Sequence, residues 1–211
     1  MNFEKLVALV ADEPVFSSSL LLSGMADPQR LRLQLSRWVK AGRLHQIRRG
    51  LYALAPPWRK VEPHPFLVAN SLRRGSYVSL QSALAWHGVI PEQVPVVTSV
   101  GPGRPGTTTT PLGAFQYRYL AEELRFGFTR IEVAPRQFAF MASPEKALLD
   151  LVHLTPGADS EAFLRELRLQ NPGVFQPAEL GELARRSGKP KLVRASRMIR
   201  TLLAEEEGVP L

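Results

Sequence analysis

The N-terminal part of the chain alternates between one-sided apolar stripes and short polar breaks. This pattern predicts helix, short helix, helix and β-hairpin in that order. The first helix has apolar residues at helical spacing at Phe3, Leu6, Val7 and Val10. Serines 17–19 then predict the start of a short second helix through residues 20–22, and Ser23 and Gly24 predict the turn that ends it.

A third helix is predicted between Asp27 and Gly42. Asp27 suits the N-cap, Pro28 suits the first helical position, and Gly42 suits the left-handed residue that ends a helix. One face of this helix is apolar and holds Leu31, Leu35, Trp38 and Val39. The opposite face is polar and basic without an acidic residue, and comprises Gln29, Arg30, Leu33, Ser36, Arg37 and Lys40, with Arg32 and Gln34 at its edges.

A hairpin with a basic tip is predicted directly after the third helix. Short, partly apolar runs at residues 44–47 and 51–54 lie on either side of Arg48, Arg49 and Gly50. A basic helix followed by such a hairpin is typical of a winged helix-turn-helix domain, whose helix enters the major groove while the hairpin, or wing, lies along the DNA backbone. The sequence therefore predicts a DNA-binding domain over residues 1–55.

The remainder of the chain is predicted to be a proline-rich linker followed by a second domain. Prolines 56, 57, 63 and 65 favour extended backbone, so we expect a solvated linker over residues 56–65. Residues 66–211 are expected to form a mixed domain with a small, mostly antiparallel sheet and C-terminal helices, which makes the whole protein α+β. The predicted strands are 94–100, 115–119, 129–134 and 138–142, with a loop at 101–113. The predicted helices are 66–72, 79–87, 143–153, 161–169, 177–186 and 191–206.

The positive charge is concentrated at the two ends of the chain. The net charge is +8, and residues 1–60 contain ten Lys and Arg against four Asp and Glu. Residues 61–188 contain twelve of each sign, and residues 189–211 contain five basic residues against three acidic ones. A basic N-terminal domain suits a polyanion, because each neutralised phosphate releases condensed counterions.

Several classes of protein lack support in the sequence. No cysteine is present, the four histidines have no metal-ligand spacing, and no apolar run is long enough to span a bilayer. The segment GPGRPG at residues 101–106 lacks the Gly-Lys-Ser/Thr ending of a phosphate-binding loop. Glu145 and Asp150 are explained by helix capping, the helix dipole or surface exposure. We therefore expect a cytoplasmic protein that is not an enzyme, with no catalytic residue, metal or cofactor.

The expected DNA contacts divide by chemistry. Gln29, Arg30 and Arg37 are candidates for base edges, since glutamine pairs with adenine and arginine with guanine through two hydrogen bonds. Arg32 and Lys40 are candidates for phosphate contacts, as are His45, Arg48 and Arg49 on the hairpin. The alternative is that the helix merely presents a solvated amphipathic face, but that alternative does not predict the adjoining basic hairpin.

A possible second basic surface lies near the C-terminus. It comprises Lys189, Lys191, Arg194, Arg197 and Arg200. It suits RNA, DNA or an acidic protein surface, and an ordinary solvated helix explains the same residues equally well.

Three segments together resemble the AbiEi family of antitoxins and transcriptional regulators from bacterial type IV toxin–antitoxin systems. They are GRLHQIRRGLYAL at residues 42–54, YVSLQSALAWHGVIPEQVP at 77–95 and ASPEKALLDLVHL at 142–154. The resemblance covers about residues 3–154. It implies repression of the protein's own operon through an upstream operator on double-stranded DNA, often an inverted repeat. It also implies a C-terminal domain that opposes a nucleotidyltransferase toxin without forming a stable complex.

Two other functions stay open at this point. One is a winged-helix regulator whose second domain senses a small ligand, and the other is an enzyme that processes nucleic acid. The protein is expected to be a monomer or a dimer that assembles on DNA. The chain is compact for an AbiEi protein, so a shortened C-terminal domain would be able to keep repression and lose toxin neutralisation.

Overall fold

The protein has a mixed α+β fold, in agreement with the predicted class. The structure is a computed structural model that describes residues 1–22, 28–92 and 94–207. The predicted cap Asp27 and the predicted turn at Ser23 and Gly24 lie outside the described residues. The N-terminal elements are α1 (Phe3–Val10), β1 (Phe16–Ser17), α2 (Ser18–Leu22), α3 (Pro28–Lys40), β2 (Leu44–Arg48) and β3 (Leu51–Leu54).

These elements occur in the predicted order, with one short strand in addition. Strand β1 pairs antiparallel with β3, and β3 pairs antiparallel with β2, so the hairpin belongs to a three-stranded sheet in the order β1-β3-β2. Gly42 follows α3 with a φ of 68°, in the left-handed conformation that glycine adopts without a steric penalty. The predicted end of the third helix is therefore confirmed.

The N-terminal helices and one face of the hairpin enclose a first hydrophobic core. Leu31 and Leu35 of α3 are buried there with Leu6 of α1, and Leu44 and Leu54 of the hairpin complete it. The i, i+4 spacing of the two α3 leucines places both on one side of the helix, as predicted. Burial of this stripe leaves the polar side of α3 directed to solvent.

The other face of the hairpin belongs to a second core. Ile47, Leu51 and Ala53 are buried in the cluster formed mainly by residues of the second part of the chain. Successive residues of a strand point to opposite sides of the sheet, so the hairpin serves both cores at once. The hairpin is thus packed on both faces.

The proline-rich segment is packed against both parts of the molecule, which corrects the prediction of a solvated linker. The Trp58 ring lies edge-on to Phe3 at 5.4 Å between centroids, and Pro63 is buried. Gln137 donates from Nε2 to the Glu62 carbonyl at 2.9 Å and accepts from the His64 amide at 2.8 Å. Proline fixes an extended backbone, and its neighbours provide the apolar rings and backbone groups that pack here.

The second part of the chain begins at helix α4. Its strands are β4 (Tyr77–Val78), β5 (Val97–Gly101), β6 (Gly106–Thr110), β7 (Gly113–Tyr119), β8 (Phe128–Ala134) and β9 (Gln137–Ala142). Its helices are α4 (Pro65–Leu72), α5 (Leu80–Trp86), α6 (Pro144–Leu154), α7 (Glu161–Glu166), α8 (Pro177–Arg186) and α9 (Pro190–Glu207), with 3₁₀ turns at Glu122–Leu124 and Pro172–Val174.

The strands of the second part form a mixed sheet, larger than the small and mostly antiparallel one predicted. Within the described ranges the sheet has six strands in the order β6-β7-β5-β4-β9-β8. The β5–β7 and β4–β9 pairs are parallel, while the β4–β5, β6–β7 and β8–β9 pairs are antiparallel. Strand β6 lies in the predicted loop 101–113. Its Gly and Thr residues show no apolar alternation because this edge strand is largely exposed.

Helix α6 lies at the centre of the helical layer. It contacts α5, α8 and α9, and strand β9 leads directly into it. Ser143 caps α6 by accepting from the Lys146 amide at 3.2 Å, and Pro144 occupies its first turn, as the sequence predicts. No helix among the described residues combines the length and apolar character needed to cross a membrane.

Candidate nucleic-acid interface

Helix α3 presents a continuous basic surface to solvent. Gln29, Arg30, Arg32, Arg37 and Lys40 are all exposed, whereas Leu31 and Leu35 on the opposite side are at most 1% exposed. Leu33 lies among the polar residues and is 61% exposed. The structure thus brings together on one accessible helix face all five α3 residues predicted to contact DNA.

The three predicted contacts on the hairpin have different environments. Arg49 is exposed, whereas Arg48 is half-buried and donates from Nε to the Ser71 carbonyl of α4 at 3.0 Å. His45 is also half-buried, and burial lowers its pKa, with a further lowering from the Arg59 guanidinium and an opposing effect of Glu62. His45 is therefore neutral near pH 7, and Arg48 connects the hairpin to α4, so Arg49 is the exposed charge at the tip.

The possible second basic surface is divided into tethered and exposed residues. Lys191 donates from Nζ to the Thr155 carbonyl at 2.6 Å, and Arg194 pairs with Asp159 at 2.7 Å. The hydrogen bond from Arg194 lowers the pKa of the Asp159 carboxyl. Lys189 is half-buried, and only Arg197 and Arg200 of the five predicted residues are exposed without a partner among the described residues.

Helix α6 contains buried charges, which corrects the expectation of surface exposure for Glu145 and Asp150, although Glu145 does lie in the first turn of the helix. Both are 1% exposed, and Lys146 is 3% exposed. Lys146 Nζ lies 2.5 Å from Asp150 Oδ1 and 2.7 Å from the Leu124 carbonyl oxygen. Glu145 accepts a hydrogen bond from the Gln176 amide at 2.7 Å. In the tertiary structure Asp150 faces strand β4, and Glu145 faces Gln176 at the start of α8.

The Asp150 carboxylate is the centre of this buried network. Its Oδ2 atom accepts from Tyr77 Oη at 2.9 Å and from Ser79 Oγ at 2.8 Å. Burial raises the pKa of Asp150, an effect that the Lys146 ammonium and the two hydroxyl groups oppose. Burial, together with Asp150, also raises the pKa of Tyr77, so Tyr77 acts as a hydrogen-bond donor.

The network has no room for a substrate. The cavity beside it, lined by Phe126, Lys146 and His153 among others, has a volume of about 10 Å³, close to the space of one water molecule. We therefore assign the network to stability of the fold. Among the described residues no group of three His, Asp or Glu side chains is arranged to hold a metal ion.

The network also joins two of the sequence segments that carry the family resemblance. Tyr77 and Ser79 come from YVSLQSAL, while Lys146 and Asp150 come from SPEKALLD. Ser82 of the first segment exchanges hydrogen bonds with Thr98 of β5, whose amide donates to Ser82 Oγ at 2.8 Å. The sequence did contain a signal for this network, because polar residues occur within helices that are otherwise apolar. Polar side chains buried at such positions need hydrogen-bond partners.

The structure defines an α+β protein in which a three-helix and hairpin unit with an exposed basic helix packs against helix α4 of a second unit built on a mixed six-stranded sheet. No family model matches the chain, and no curated protein matches it. The crystal structure of the RV2827C protein from Mycobacterium tuberculosis is similar, with a TM-score of 0.56 and 18% sequence identity. The match covers 99% of this chain and 82% of that protein. At this identity the similarity shows a shared fold.

Proposed function

We propose that the protein is a sequence-specific DNA-binding repressor and that its N-terminal unit is a winged helix-turn-helix domain. The observation that carries this proposal is the exposed face of α3, which displays Gln29, four basic residues and no acid. A helix face that is merely solvated is expected to carry acidic and basic residues interspersed.

The dimensions of α3 suit the proposed role. A helix over Pro28–Lys40 is roughly 20 Å long at the standard rise per residue, and its width matches that of the DNA major groove. In this arrangement Gln29, Arg30 and Arg37 contact base edges, and Arg32 and Lys40 contact phosphates. Arg49 at the hairpin tip supplies a further phosphate contact.

The second part of the proposal is an antitoxin role within a type IV toxin–antitoxin system. Its support is the resemblance of three segments to the AbiEi family, two of which meet in the network around Asp150. The proposed partner is a nucleotidyltransferase toxin that the second unit opposes without a stable complex. Arg197 and Arg200 are the basic residues of α9 that are exposed without a partner among the described residues, so they are the candidates for this role.

The repressor proposal is tested by measuring binding to the DNA immediately upstream of the protein's own gene and to a scrambled duplex of equal length, across a salt series. We expect a preference of about a thousandfold for the upstream duplex and a steep salt dependence. Equal and weak binding to both duplexes would overturn sequence-specific repression.

The antitoxin proposal is tested separately by co-expression with a neighbouring nucleotidyltransferase gene. Growth is expected to recover with the wild-type protein and to fall when Arg197 and Arg200 are replaced by glutamate. The matched control is Arg136→Glu with Arg185→Glu, two exposed arginines on other elements. If the wild-type protein does not restore growth, the antitoxin proposal is wrong. The repressor proposal is then judged by the DNA-binding experiment alone.

A further inference from the structure

The hairpin is attached rigidly to the second unit close to its tip. Arg48 donates from Nε to the Ser71 carbonyl at the end of α4, at 3.0 Å. Ile47 and Leu51, on either side of the tip, are buried in the second core. A charge at the tip is therefore held in a constant position relative to the residues that follow α4.

The segment after α4 is in turn attached to the loop between β5 and β6. Arg73 donates from Nη1 to the Arg104 carbonyl at 2.8 Å, and its guanidinium lies 4.2 Å from the centre of the Tyr117 ring. The backbone of Gly101 approaches Ser76 so closely that a Cβ atom on the glycine would lie 2.8 Å from the Ser76 Cα atom. The turn and the loop thus form one packed structure.

Each of these attachment points has an exposed arginine beside it. Arg49 follows Arg48, Arg74 follows Arg73, and Arg104 is itself exposed while its carbonyl accepts the bond from Arg73. We call Arg49, Arg74 and Arg104 the arginine strip. None of the three has an ion-pair partner within the described parts of the chain.

Arg74 and Arg104 lie in a stretch of the sequence that is almost free of acidic residues. Between residues 63 and 121 the sequence contains four arginines and a single acid, Glu92. The balance of charges over residues 61–188 conceals this, because most of the acids occur after residue 121. Thr107 and Thr109 are also exposed, on strand β6, which begins two residues after Arg104 in the sequence.

We infer that the DNA-binding surface continues past the hairpin onto the second unit, where Arg74 and Arg104 bind the phosphate backbone of the duplex beyond the segment that α3 reads. This inference rests on the proposed function. A phosphate backbone is favoured as the partner because Arg49 lies at the hairpin tip and the three exposed arginines have no ion-pair partner among the described residues. Their chain neighbours Arg48 and Arg73 are anchored on backbone carbonyls, which leaves the charges of the strip available to a ligand. The strip contributes affinity independent of base sequence.

The test compares full-length wild-type protein with the Arg74→Ala, Arg104→Ala double variant on the upstream and scrambled duplexes, across a salt series. We expect binding to weaken about tenfold on both duplexes, and the slope of log affinity against log salt to decrease by about 2. The ratio between the two duplexes is expected to stay unchanged. Arg74→Lys with Arg104→Lys is expected to retain the slope, because counterion release depends on charge.

The outcomes separate this inference from the proposed function. The control Arg136→Ala, Arg185→Ala removes two exposed arginines elsewhere and is expected to leave the slope unchanged. If the wild-type protein prefers the upstream duplex and the double variant keeps the full salt slope, the role of the arginine strip is wrong and the repressor proposal stands. If the wild-type protein binds both duplexes equally and the double variant has a reduced slope, the arginine strip binds DNA and the repressor proposal is wrong. A wild-type protein that binds neither duplex would overturn both.

Discussion

The Tyr77 hydroxyl donates a hydrogen bond to the Oδ2 atom of Asp150 at 2.9 Å, and this bond joins strand β4 to helix α6. Ser79 donates to the same oxygen, and Lys146 lies against the other carboxylate oxygen. A buried carboxylate is stable only when such partners replace the water that it has lost. The network therefore helps to fix the position of α6 relative to strand β4.

Asp150→Asn is expected to destabilise the protein by about 3–5 kcal/mol in the free energy of unfolding. The substitution keeps the size of the side chain and leaves the buried Lys146 ammonium without an opposite charge. Tyr77→Phe removes one hydrogen bond only and is expected to cost about 1 kcal/mol. Chemical denaturation followed by circular dichroism measures both.

The control for these substitutions is Glu161→Gln, which removes the exposed ion pair between Glu161 and Arg165. We expect its unfolding curve to overlay that of the wild type, because exposed pairs contribute little to stability. An unfolding curve for Asp150→Asn that overlays that of the wild type would show that the negative charge of Asp150 does not stabilise the fold.

Gly101→Ala is expected to lower the free energy of unfolding by about 1–3 kcal/mol, because overpacking forces the backbone to move. The added Cβ atom would lie 2.8 Å from Ser76 Cα and 2.9 Å from Ser76 Cβ. Gly106→Ala is the matched control, since no heavy atom lies within 4 Å of the position of its Cβ atom. Thermal unfolding compares the two, and equal melting temperatures would show that the turn after α4 and the end of β5 are not tightly packed.

Stability is expected to decrease as the pH falls below about 6.5, in part because of His153. Burial lowers the pKa of His153 below its ordinary value of 6.5, the cations Lys189, Lys146 and Lys191 lower it further, and Asp150 opposes them. Since the unfolded chain then binds a proton at a higher pH than the folded protein, acidification favours unfolding.

The measurement is the denaturant midpoint at pH 8 and at pH 5.5, for the wild type and for His153→Gln. The wild type is expected to lose more stability between the two values than the variant does. Burial also lowers the pKa of His64, so part of the pH dependence is expected to survive. An identical decrease in both proteins would assign the pH dependence to other groups.

Arg37→Ala is expected to weaken binding to the upstream duplex by about 1–3 kcal/mol and to relax the preference for its sequence. Arg37 is exposed on the last turn of α3, so its loss leaves the buried face intact. Competition binding against single-base variants of the duplex measures the preference, with Arg185→Ala as the control. An unchanged affinity and preference would place α3 outside the major groove.

The helices of this protein were predictable where the apolar spacing and the cap residues agree. Helix α8 spans Pro177–Arg186 as predicted, and α6 begins after Ser143 at Pro144 as its cap indicates. Strands β4 and β6 were missed, since a two-residue strand and an exposed edge strand show no periodicity of their own. Their positions depend on hydrogen bonds from distant strands.

In the candidate site, too, local features were predictable from the sequence and long-range contacts were not. The exposure of Arg30 and Arg37 follows from the burial of Leu31 and Leu35 at helical spacing, which is a local property. The involvement of Arg48 with Ser71 depends on residues 23 positions apart, and no local pattern encodes it.

The sequence by itself determined the order of the N-terminal helices and hairpin and the basic face of α3, together with the Ser143 cap of α6 and the Gly42 end of α3. These features depend on residues within a few turns of one another, so spacing and residue type are sufficient. Tertiary structure alone decided the burial of Lys146 with Asp150, the packing of the proline-rich segment and the contact of Arg73 with the Arg104 carbonyl. Each of these depends on contacts between distant segments, whose desolvation and hydrogen bonding are settled only when the sheet and helices assemble.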